Sequence, residues 1–416
     1  MPKFLKQKCI FVKGAKNAAI YDLVEKKVYA LNDAGKSIME KFLVDPCCLN
    51  PTEIEYINKL GQLGLIERND LPVYENEKDI FQVDCKLGYV WLELTQKCNL
   101  RCVHCYGQFG CTIADSSEEM SKESWKRVIC EIKAAGCVKI QFIGGEPLCS
   151  PDFQEILTYA YNVGIENIDI FTNGTLIDEH YINLIKHTGA NVRLSLYGHN
   201  AQIHDSITRV KGSFRKTESA LKLLKKHDIP TKIAVVIMKA NQFYIDEIKA
   251  YIEFIGHEYS GYDIIRPVAE KVQDNCVTDI EILKPRYRIM ADFSIDEKKY
   301  SRNLHWNSCW SGKLAIASNG DVMPCIFARD MVIENVNENS LSTAVNKAGH
   351  HWSVTKDQVE GCRDCEYRYA CHDCRPLALS LGGSISSKEP RCCYDPYEGS
   401  WHDVQECTME LGINYP

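Results

Sequence analysis

The order of apolar and polar positions divides the chain into three parts. Between residues 85 and 295, short apolar stretches alternate with longer ones of helical period, such as KESWKRVICEIKAAG and GSFRKTESALKLLKKH. This alternation predicts a parallel sheet joined by crossover helices. The strand candidates are YVWLEL at 89–94, VKIQFI at 138–143, NIDIFT at 167–172, NVRLSL at 191–196, KIAVVIM at 232–238 and YDII at 262–265.

These strand–helix units predict an α/β fold whose centre is a partial (β/α)6 barrel of the TIM type. In such barrels the chemistry lies at the carboxyl ends of the strands. Four unusual segments directly follow predicted strands, and we expect them to meet at one edge of the sheet. They are CNLRCVHCY at 98–106, GGEP at 144–147, TNGT at 172–175 and YGH at 197–199.

Residues 1–84 have a different pattern, with three short strand candidates, CIFVKG, AAIYDL and KVYALN, followed by two helical stretches. Asn32 is placed to cap the first helix, and Thr52 with Glu55 has the spacing of a capping box before the second. The pattern predicts a small winged-helix-like α+β domain. On its second helix we expect one apolar stripe, formed by Ile54, Ile57, Leu60 and Leu63.

Residues 296–416 form the third part, with weak periodicity and many cysteines. Long segments with little apolar core usually need covalent or metal crosslinks to stay ordered. The cysteines of this part are Cys309, Cys325, Cys362, Cys365, Cys371, Cys374, Cys392, Cys393 and Cys407.

Composition narrows the function classes. The net charge of −7 gives no reason to expect a nucleic-acid partner. No apolar segment approaches the ~18 residues of a membrane helix, and the first residues lack the apolar stretch of a signal peptide. We therefore expect a cytoplasmic protein without a membrane partner. In that compartment the 21 cysteines indicate metal or redox work rather than disulfides.

The segment CNLRCVHCY places Cys98, Cys102 and Cys105 close together. One interpretation is core packing, because spacings of four and seven residues fall on one helical face. A second is a structural zinc site, with Cys111 or His104 as the fourth ligand. A third is a 4Fe–4S cluster, which can leave one iron without a protein ligand. Only the third gives the following GGEP segment a purpose.

CNLRCVHCY followed by GGEP resembles the radical S-adenosylmethionine superfamily, and the resemblance continues through TNGT, RLSLYG and HDSITRVKGSF. It implies a cluster held by Cys98, Cys102 and Cys105, with S-adenosylmethionine chelating the open iron. Reductive cleavage of this cofactor would give a 5′-deoxyadenosyl radical that removes a hydrogen atom from substrate.

The resemblance also implies contacts to S-adenosylmethionine. Glu146 would accept hydrogen bonds from the methionyl ammonium, and His104 stands where the family usually has an aromatic residue near adenine. Ser195 and Arg209 are equally well read as a strand-end serine and a solvated loop arginine. The full set of expected contacts is His104, Gly144, Gly145, Glu146, Asn173, Ser195 and Arg209. Cys111, Cys149 and Cys276 also fall near this face in the sequence order.

The run Cys362-x2-Cys365-x5-Cys371-x2-Cys374 is too tight for a zinc ribbon, whose cysteine pairs are usually ~15–20 residues apart. It resembles the SPASM domain, which binds two auxiliary 4Fe–4S clusters, for three clusters in all. One departure is that two residues, rather than three, separate Cys371 from Cys374.

The resemblance divides the ligands into two sets. An outer site would use Cys362, Cys365, Cys371 and one of Cys392 and Cys393. An inner site would use Cys309, Cys325 and Cys374, and would have an open iron unless Cys393 or Cys407 completes it.

Residues 1–84 resemble the precursor-peptide recognition element of ribosomal peptide biosynthesis, which binds a leader peptide as an added strand. A stabilising cap for the barrel is the alternative. Together with the SPASM resemblance, this element favours a maturase that forms an intramolecular thioether crosslink in a precursor peptide. We also expect an external electron donor such as flavodoxin or ferredoxin.

Three other functions are weighed against this one. A carbon–carbon, cyclophane-type crosslink is the alternative within the class. An anaerobic sulfatase maturase is disfavoured, because that family has Asp after the cysteine that matches Cys325, and here Ile326 follows. A non-catalytic iron–sulfur electron carrier or leader-binding adaptor is opposed by the GGEP segment.

Overall fold

The computed structural model describes three connected parts of the chain. It covers residues 4–5, 8–67, 81–107, 109, 119–265, 276, 278–279, 291–380 and 383–403. Cys111 and Cys407 lie outside these described residues.

The first part is a three-stranded antiparallel sheet followed by two helices, as the sequence predicts. The sheet has the order β2–β3–β4, and a separate two-stranded sheet joins the flanking strands β1 and β5. The elements are β1 Phe4–Leu5, β2 Cys9–Lys13, β3 Ala18–Asp22, β4 Lys27–Leu31, α1 Asp33–Val44, α2 Pro51–Gln62 and β5 Ile66–Glu67. Asn32 caps α1, as expected, by accepting a hydrogen bond from the amide of Gly35 at 2.9 Å.

Helix α2 begins earlier than the capping prediction placed it. Asn50 is the N-cap, and Glu53 completes a capping box with it. Pro51 occupies the first helical position, where its missing N–H has no cost and its fixed φ favours the helix. Thr52 and Glu55 therefore lie inside the helix, and their predicted capping role is wrong.

The predicted apolar stripe on α2 is only half buried. Ile57 and Leu60 are 2% and 5% exposed, whereas Ile54 and Leu63 are 44% and 58% exposed. A repeat of three residues drifts around a helix that has 3.6 residues per turn. Only the central pair therefore faces the sheet.

The second and third parts share a nine-stranded open sheet of order β11–β10–β9–β8–β7–β6–β12–β13–β14. Strands β6 to β11 run parallel and match every predicted strand to within one residue at each end. Their bounds are β6 Tyr89–Glu93, β7 Lys139–Ile143, β8 Asn167–Thr172, β9 Asn191–Leu196, β10 Thr231–Ile237 and β11 Tyr262–Ile264.

Helices alternate with these strands and bury their apolar faces against the sheet. They are α3 Lys122–Ala134, α4 Phe153–Asn162, α5 Glu179–Thr188, α6 Ala201–Thr208, α7 Ser213–Lys226 and α8 Ile245–Phe254. Because the strands are parallel, the loops after their carboxyl ends meet at one edge. In the described part of the chain, no helix has the length and apolarity to span a membrane.

The carboxy-terminal part extends the same sheet through β12, which runs parallel to β6. The predicted boundary near residue 296 thus falls between elements that join one sheet. The elements of this part are α9 Glu297–His305, β12 Lys313–Ile316, β13 Asp321–Met323, β14 Glu334–Asn335, α10 Leu341–Trp352, α11 Arg375–Ser380, β15 Tyr394–Asp395 and β16 Ser400–Trp401.

The amino-terminal sheet packs on the carboxy-terminal cysteines. The Tyr21 hydroxyl of β3 donates a hydrogen bond to the carbonyl of Glu366 at 2.8 Å. The guanidinium of Arg368 donates to the carbonyl of Lys13 at 2.7 Å. One apolar cluster spans this contact and joins Ile10, Val12, Ala19, Tyr21 and Leu23 to Tyr300, Tyr367, Tyr369 and Tyr394, with Cys365, Cys371 and Cys392 packed against it.

Candidate metal centres and active site

The triplet loop, residues 94–107, follows β6 and is held by backbone hydrogen bonds to the end of α6. The amide of Arg101 donates to the carbonyl of Thr208, and that of Val103 donates to Ile207, both at 3.0 Å. These bonds fix a segment that has no regular secondary structure of its own. The loop therefore depends on its neighbours for its shape.

An amide network ties the other side of the triplet loop to the end of β8. Asn173 donates from Nδ2 to Oδ1 of Asn99 at 2.9 Å, and Asn99 donates to the hydroxyl of Thr175 at 2.7 Å. The Oδ1 of Asn173 accepts from the amide and hydroxyl of Thr175. The described hydrogen bonds of the Asn173 side chain are thus made to Asn99 and Thr175, and they position the triplet loop.

The sulfurs of Cys98, Cys102 and Cys105 converge in this loop. Burial raises the pKa of Cys98 to about 12, and the neighbouring Cys105 sulfur contributes. Burial also raises the pKa of Cys102, and the sulfurs of Cys98 and Cys105 add to it. Thiols of this kind ionise when a metal supplies positive charge. The donor set therefore fits an iron–sulfur cluster.

Two cysteines that the sequence could not place lie beside this loop. Cys149, just after GGEP, is close enough to Cys98 to affect its pKa. Cys276 is 5% exposed, and its sulfur donates to the carbonyl of Val103 at 3.7 Å. Neither follows from spacing, because both reach the loop through the fold.

Gly144 and Gly145 lie directly against the chain that leads into the triplet. The amide of Gly145 donates to the carbonyl of Thr95 at 2.8 Å. A Cβ on Gly144 would lie 2.6 Å from that same oxygen, and one on Gly145 would overlap the carbonyl of Lys97. Glycine is required here by close backbone approach.

Glu146 is the buried carboxylate of this edge, at 1% exposure. It accepts hydrogen bonds from the Thr172 hydroxyl at 2.6 Å, the Asn173 amide at 2.7 Å and the Leu148 amide at 3.2 Å. Burial raises its pKa to about 7, although these hydrogen bonds oppose the shift. An adjacent cation, such as an ammonium, would stabilise its ionised form.

His104, Tyr197 and Ser195 form a polar and aromatic wall beside the triplet. The rings of His104 and Tyr197 lie 4.7 Å apart, edge to face. Burial lowers the pKa of His104 to about 4, so its imidazole is neutral at neutral pH. Its Nδ1 is buried without a hydrogen-bond partner among the described residues. Ser195, in β9, is 7% exposed, and its hydroxyl lowers the pKa of the Tyr197 phenol against the larger opposing effect of burial.

Arg209 directly follows Thr208, whose carbonyl binds the triplet loop. It ends α6 in the left-handed conformation, with φ of 56°, and is exposed. Its charge lowers the pKa of Cys276 against a larger opposing effect of burial. The structure thus places Arg209 near Cys276, on the side of the triplet loop that contacts the end of α6.

The inner site of the carboxy-terminal part brings Cys309, Cys325 and Cys374 together. The sulfurs of Cys309 and Cys374 share a hydrogen bond, which with burial raises the pKa of Cys309 far above its ordinary range. Cys325 adds a further increase. Asn307 holds the backbone here by accepting from the amide of Cys309 at 2.8 Å.

The outer site brings together four sulfurs, those of Cys362, Cys365, Cys371 and Cys392. Each of the first three has a pKa that burial raises, and Cys392 adds to the increase in all three. The neighbouring Cys393 is 1% exposed and packs in the main core, where its sulfur donates to the carbonyl of Arg391 at 3.8 Å. The structure therefore groups Cys392, rather than Cys393, with the outer sulfurs.

Tyr106 links the triplet to the inner site. Burial raises its pKa well above the ordinary range, and both Cys105 and Cys325 contribute to the increase. Its ring packs edge to face against Phe327, with 5.3 Å between centroids. The triplet and the inner site therefore face a common region.

An ion pair between the partly exposed Arg329 and the buried Glu93 supports this region and was not expected from the sequence. Arg329 donates to the two carboxylate oxygens of Glu93 at 2.7 and 3.1 Å. The Glu93 side chain is 2% exposed. The guanidinium carbon also lies 6.0 Å from the centroid of the Tyr106 ring.

Two domain families match the chain over the residues just described. The Radical SAM superfamily matches residues 92–255, and the SPASM iron–sulfur cluster-binding domain matches residues 309–375. The first match contains the triplet and the second contains the inner site. These matches and the open parallel sheet confirm the predicted fold class.

The proteins similar to this chain have more than one activity. An AdoMet-dependent heme synthase of Methanosarcina barkeri is 26% identical over 337 residues, covering 73% of this chain and 95% of that protein. A PqqA peptide cyclase of Bradyrhizobium diazoefficiens is 24% identical over 331 residues, covering 74% and 86%. The crystal structure of Streptococcus suis SuiB bound to its precursor peptide SuiA has a similar fold, with a TM-score of 0.55 at 13% identity, covering 93% of this chain and 98% of SuiB.

Proposed function

We propose that this radical S-adenosylmethionine enzyme, whose carboxy-terminal part is a SPASM domain, forms an intramolecular thioether crosslink in a ribosomally made precursor peptide. The observation that carries the proposal is the position of Tyr106, which lies beside both Cys105 of the triplet and Cys325 of the inner site. A peptide held there would be exposed to hydrogen abstraction from one side and to sulfur binding from the other.

The triplet is assigned to the first 4Fe–4S cluster. Cys98, Cys102 and Cys105 would hold three irons, which leaves the fourth for the amine and carboxylate of S-adenosylmethionine. When bound, this cofactor supplies hydrogen-atom abstraction from an unactivated carbon. The chain itself contributes the fixed loop, because Asn99 and the backbone of α6 hold the three cysteines in place.

Four further residues would orient the cofactor. The Glu146 carboxylate would accept from the methionyl ammonium, and that cation would replace solvent as the stabilising partner of a buried anion. The His104 and Ser195 side chains, on one wall, would contact the adenine and the ribose. Arg209 would approach the carboxylate from the α6 side of the triplet loop, where it lies near Cys276.

The two carboxy-terminal sites are assigned to auxiliary clusters, which makes three clusters in all. Cys362, Cys365, Cys371 and Cys392 would hold the outer one. Cys309, Cys325 and Cys374 would hold the inner one, with one iron open to a substrate thiolate. Coordination to iron lowers the pKa of a thiol and fixes its position. Substitution of Cys393 by Ala should leave the inner cluster intact. Loss of the inner cluster in this variant would show that Cys393 is its fourth ligand and that no iron is open to substrate.

The amino-terminal sheet would bind the leader of the precursor. Among the described residues, no backbone group hydrogen-bonds to the outer edge of β4, Lys27–Leu31. Such an edge accepts an added strand through main-chain hydrogen bonds. The fold shared with SuiB extends over 93% of this chain, whereas the heme synthase similarity extends over 73%. The relatives alone do not select a substrate, and this sheet favours a peptide.

Two alternatives remain within the class. A carbon–carbon crosslink needs no substrate cysteine, and the PqqA peptide cyclase similarity is compatible with it. An anaerobic sulfatase maturase is disfavoured, because half-buried Ile326 follows Cys325 and cannot accept a proton. The nearby Asp330 is exposed and off register.

The test uses the anaerobically reconstituted full chain with dithionite, S-adenosylmethionine and a candidate precursor encoded beside its gene. We expect release of 5′-deoxyadenosine and a peptide that has lost two hydrogen atoms, with its cysteine resistant to alkylation. Cys98→Ala is the control and should abolish both. A protein that keeps its clusters but releases no 5′-deoxyadenosine would contradict the radical chemistry.

The same reaction separates the alternatives. A precursor without cysteine that still loses two hydrogen atoms would refute the thioether and favour a carbon–carbon bond. Replacing dithionite by reduced flavodoxin or ferredoxin tests the proposed electron donor. Turnover with dithionite but with neither protein would refute that assignment.

A further inference from the structure

Three buried charges lie between the inner and outer sites. Asp373 is contacted by the Lys356 ammonium at 2.6 Å and by the Arg375 guanidinium at 2.5 Å. The side chains of Lys356, Asp373 and Arg375 are 7%, 1% and 0% exposed. Burying three charges is costly, and such groups are often functional. We call these residues the charge triad.

The triad is built into the segment that joins the two sites. Asp373 stands between Cys371 of the outer site and Cys374 of the inner site. Only two residues separate these cysteines, and His372 is the other one. The Ser308 hydroxyl donates to Asp373 at 3.4 Å, from the residue that precedes Cys309.

The charges of the triad are not shared equally by the two sites. Lys356 lowers the pKa of Cys362 and Cys371, and Arg375 lowers that of Cys362, whereas Asp373 raises the pKa of both thiols. In the inner site, the charges that most affect the pKa of Cys309 are those of neighbouring cysteines and of Asp373. No other charged group of the described residues has a principal effect on it. The outer site therefore faces both cations and the anion, a net charge of +1, whereas Cys309 of the inner site faces the anion of the triad.

Lys356 keeps its charge although its side chain is only 7% exposed. Burial disfavours the ammonium, but the Asp373 carboxylate at 2.6 Å and the Cys362 and Cys371 sulfurs together outweigh it and raise the pKa of Lys356. Other charges nearby are Glu366, which acts on Cys365, and the Glu389–Arg391 pair, whose carboxylate accepts from the amide of Cys374. These groups remain constant in any substitution of the triad.

We propose that the charge triad sets the order in which the two auxiliary clusters are reduced, so that the outer cluster accepts an electron before the inner one. A reduced cluster carries one more negative charge than an oxidised one. Nearby cations therefore favour its reduction and a nearby anion opposes it, most strongly where water is excluded. This inference rests on the proposed cluster ligation and adds a role for residues that are not ligands.

The test is a potentiometric titration of the reconstituted full chain, followed by electron paramagnetic resonance of the reduced clusters. Cys371→Ser identifies the signal of the outer cluster. Lys356→Met changes the net charge of the triad from +1 to 0 and leaves the Asp373–Arg375 pair intact. Asp373→Asn changes it from +1 to +2. Lys356→Arg preserves the charge, and Lys347→Met removes an exposed lysine paired with Glu334 as the matched control.

We expect opposite shifts from the two charge variants. In Lys356→Met, the ratio of oxidised to reduced outer cluster at a fixed potential should rise at least tenfold, a downward shift of about 59 mV for one electron. Asp373→Asn should raise the outer potential. Lys356→Arg and Lys347→Met should match the wild type.

Two outcomes would overturn the inference. One is an unchanged outer potential in Lys356→Met with full iron and sulfide content. The other is a shift of the same sign in Lys356→Met and Asp373→Asn, which would indicate structural disturbance rather than charge. Failure of the ligation itself is recognised separately, since Cys362→Ser would then contain as much iron as the wild type.

Discussion

Removal of Arg329 should destabilise the junction between the triplet and the inner site, because it leaves the Glu93 carboxylate buried without its cation. Glu93 ends β6, just before the triplet loop, and Arg329 follows Cys325 by four residues. The two hydrogen bonds between them join segments 236 residues apart. Among the described residues, no other side chain is hydrogen-bonded to Glu93.

The magnitude follows from two limits. Loss of one partner of a buried ion pair costs about 3–5 kcal/mol when the other charge remains. The alternative is protonation, and for a carboxyl group with an ordinary pKa of about 4.3 this costs about 4 kcal/mol at pH 7.5 and about 2 kcal/mol at pH 5.5. The cheaper route sets the loss. Arg329→Met should therefore cost about 4 kcal/mol at pH 7.5 and about half of that at pH 5.5.

Native-state hydrogen exchange of the β6 and β12 amides measures this loss as a free energy of local opening. Arg193→Met is the matched control, because the buried Asp169 keeps Lys139 at 3.3 Å when Arg193 is removed. It should cost about 1 kcal/mol. The double substitution Glu93→Gln/Arg329→Met should recover most of the loss. An Arg329→Met loss independent of pH, or no larger than that of the control, would refute this account.

Four further substitutions test the candidate sites. Gly145→Ala should lower the iron bound at the triplet by at least half, measured by iron content and visible absorption, because its Cβ overlaps the Lys97 carbonyl; full iron content would refute this packing. Glu146, with its pKa raised to about 7, contributes about 3 kcal/mol that is fully present below pH 4.5 and lost as the pH rises through 7. Hydrogen exchange should show this loss in the cluster-free protein, and Glu146→Gln should remove it; an unchanged pH profile would contradict the shift. Cys392→Ser should lose the outer cluster and Cys393→Ser should retain it, and the reverse would move the ligand to Cys393.

Local patterns predicted the central fold because each strand or helix has its own periodicity. Strands β8 (NIDIFT) and β9 (NVRLSL) match their predicted bounds, since in each the apolar residues recur at the two-residue period of a strand. Helix α2 shows the limit of this reasoning. Two residue pairs have a spacing suitable for a capping box, Asn50 with Glu53 and Thr52 with Glu55. The helix starts at the first pair because Pro51 favours the first helical position, directly after Asn50.

Contacts between distant segments could not be predicted in this way. The sequence does not distinguish Cys392 from Cys393 as the fourth ligand of the outer site. Adjacent residues of an extended chain point to opposite sides, so only one of the two can face that site. Which side faces the outer site depends on how the whole segment packs. The Glu93–Arg329 pair and the contact of Lys356 with Asp373 likewise cannot be read from spacing, since the partners are separated in the sequence by 236 and 17 residues.

The packing of the amino-terminal sheet constrains how leader binding can be tested. Strand β4, whose outer edge is proposed for the leader, is paired through its inner edge to β3, and Tyr21 of β3 donates to the carbonyl of Glu366, next to Cys365. The same strands cover the outer sulfurs with apolar side chains. Deletion of residues 1–84 would therefore remove the leader site and also expose the outer site to solvent. Loss of peptide modification after this deletion consequently demonstrates leader recognition only if the outer cluster remains intact.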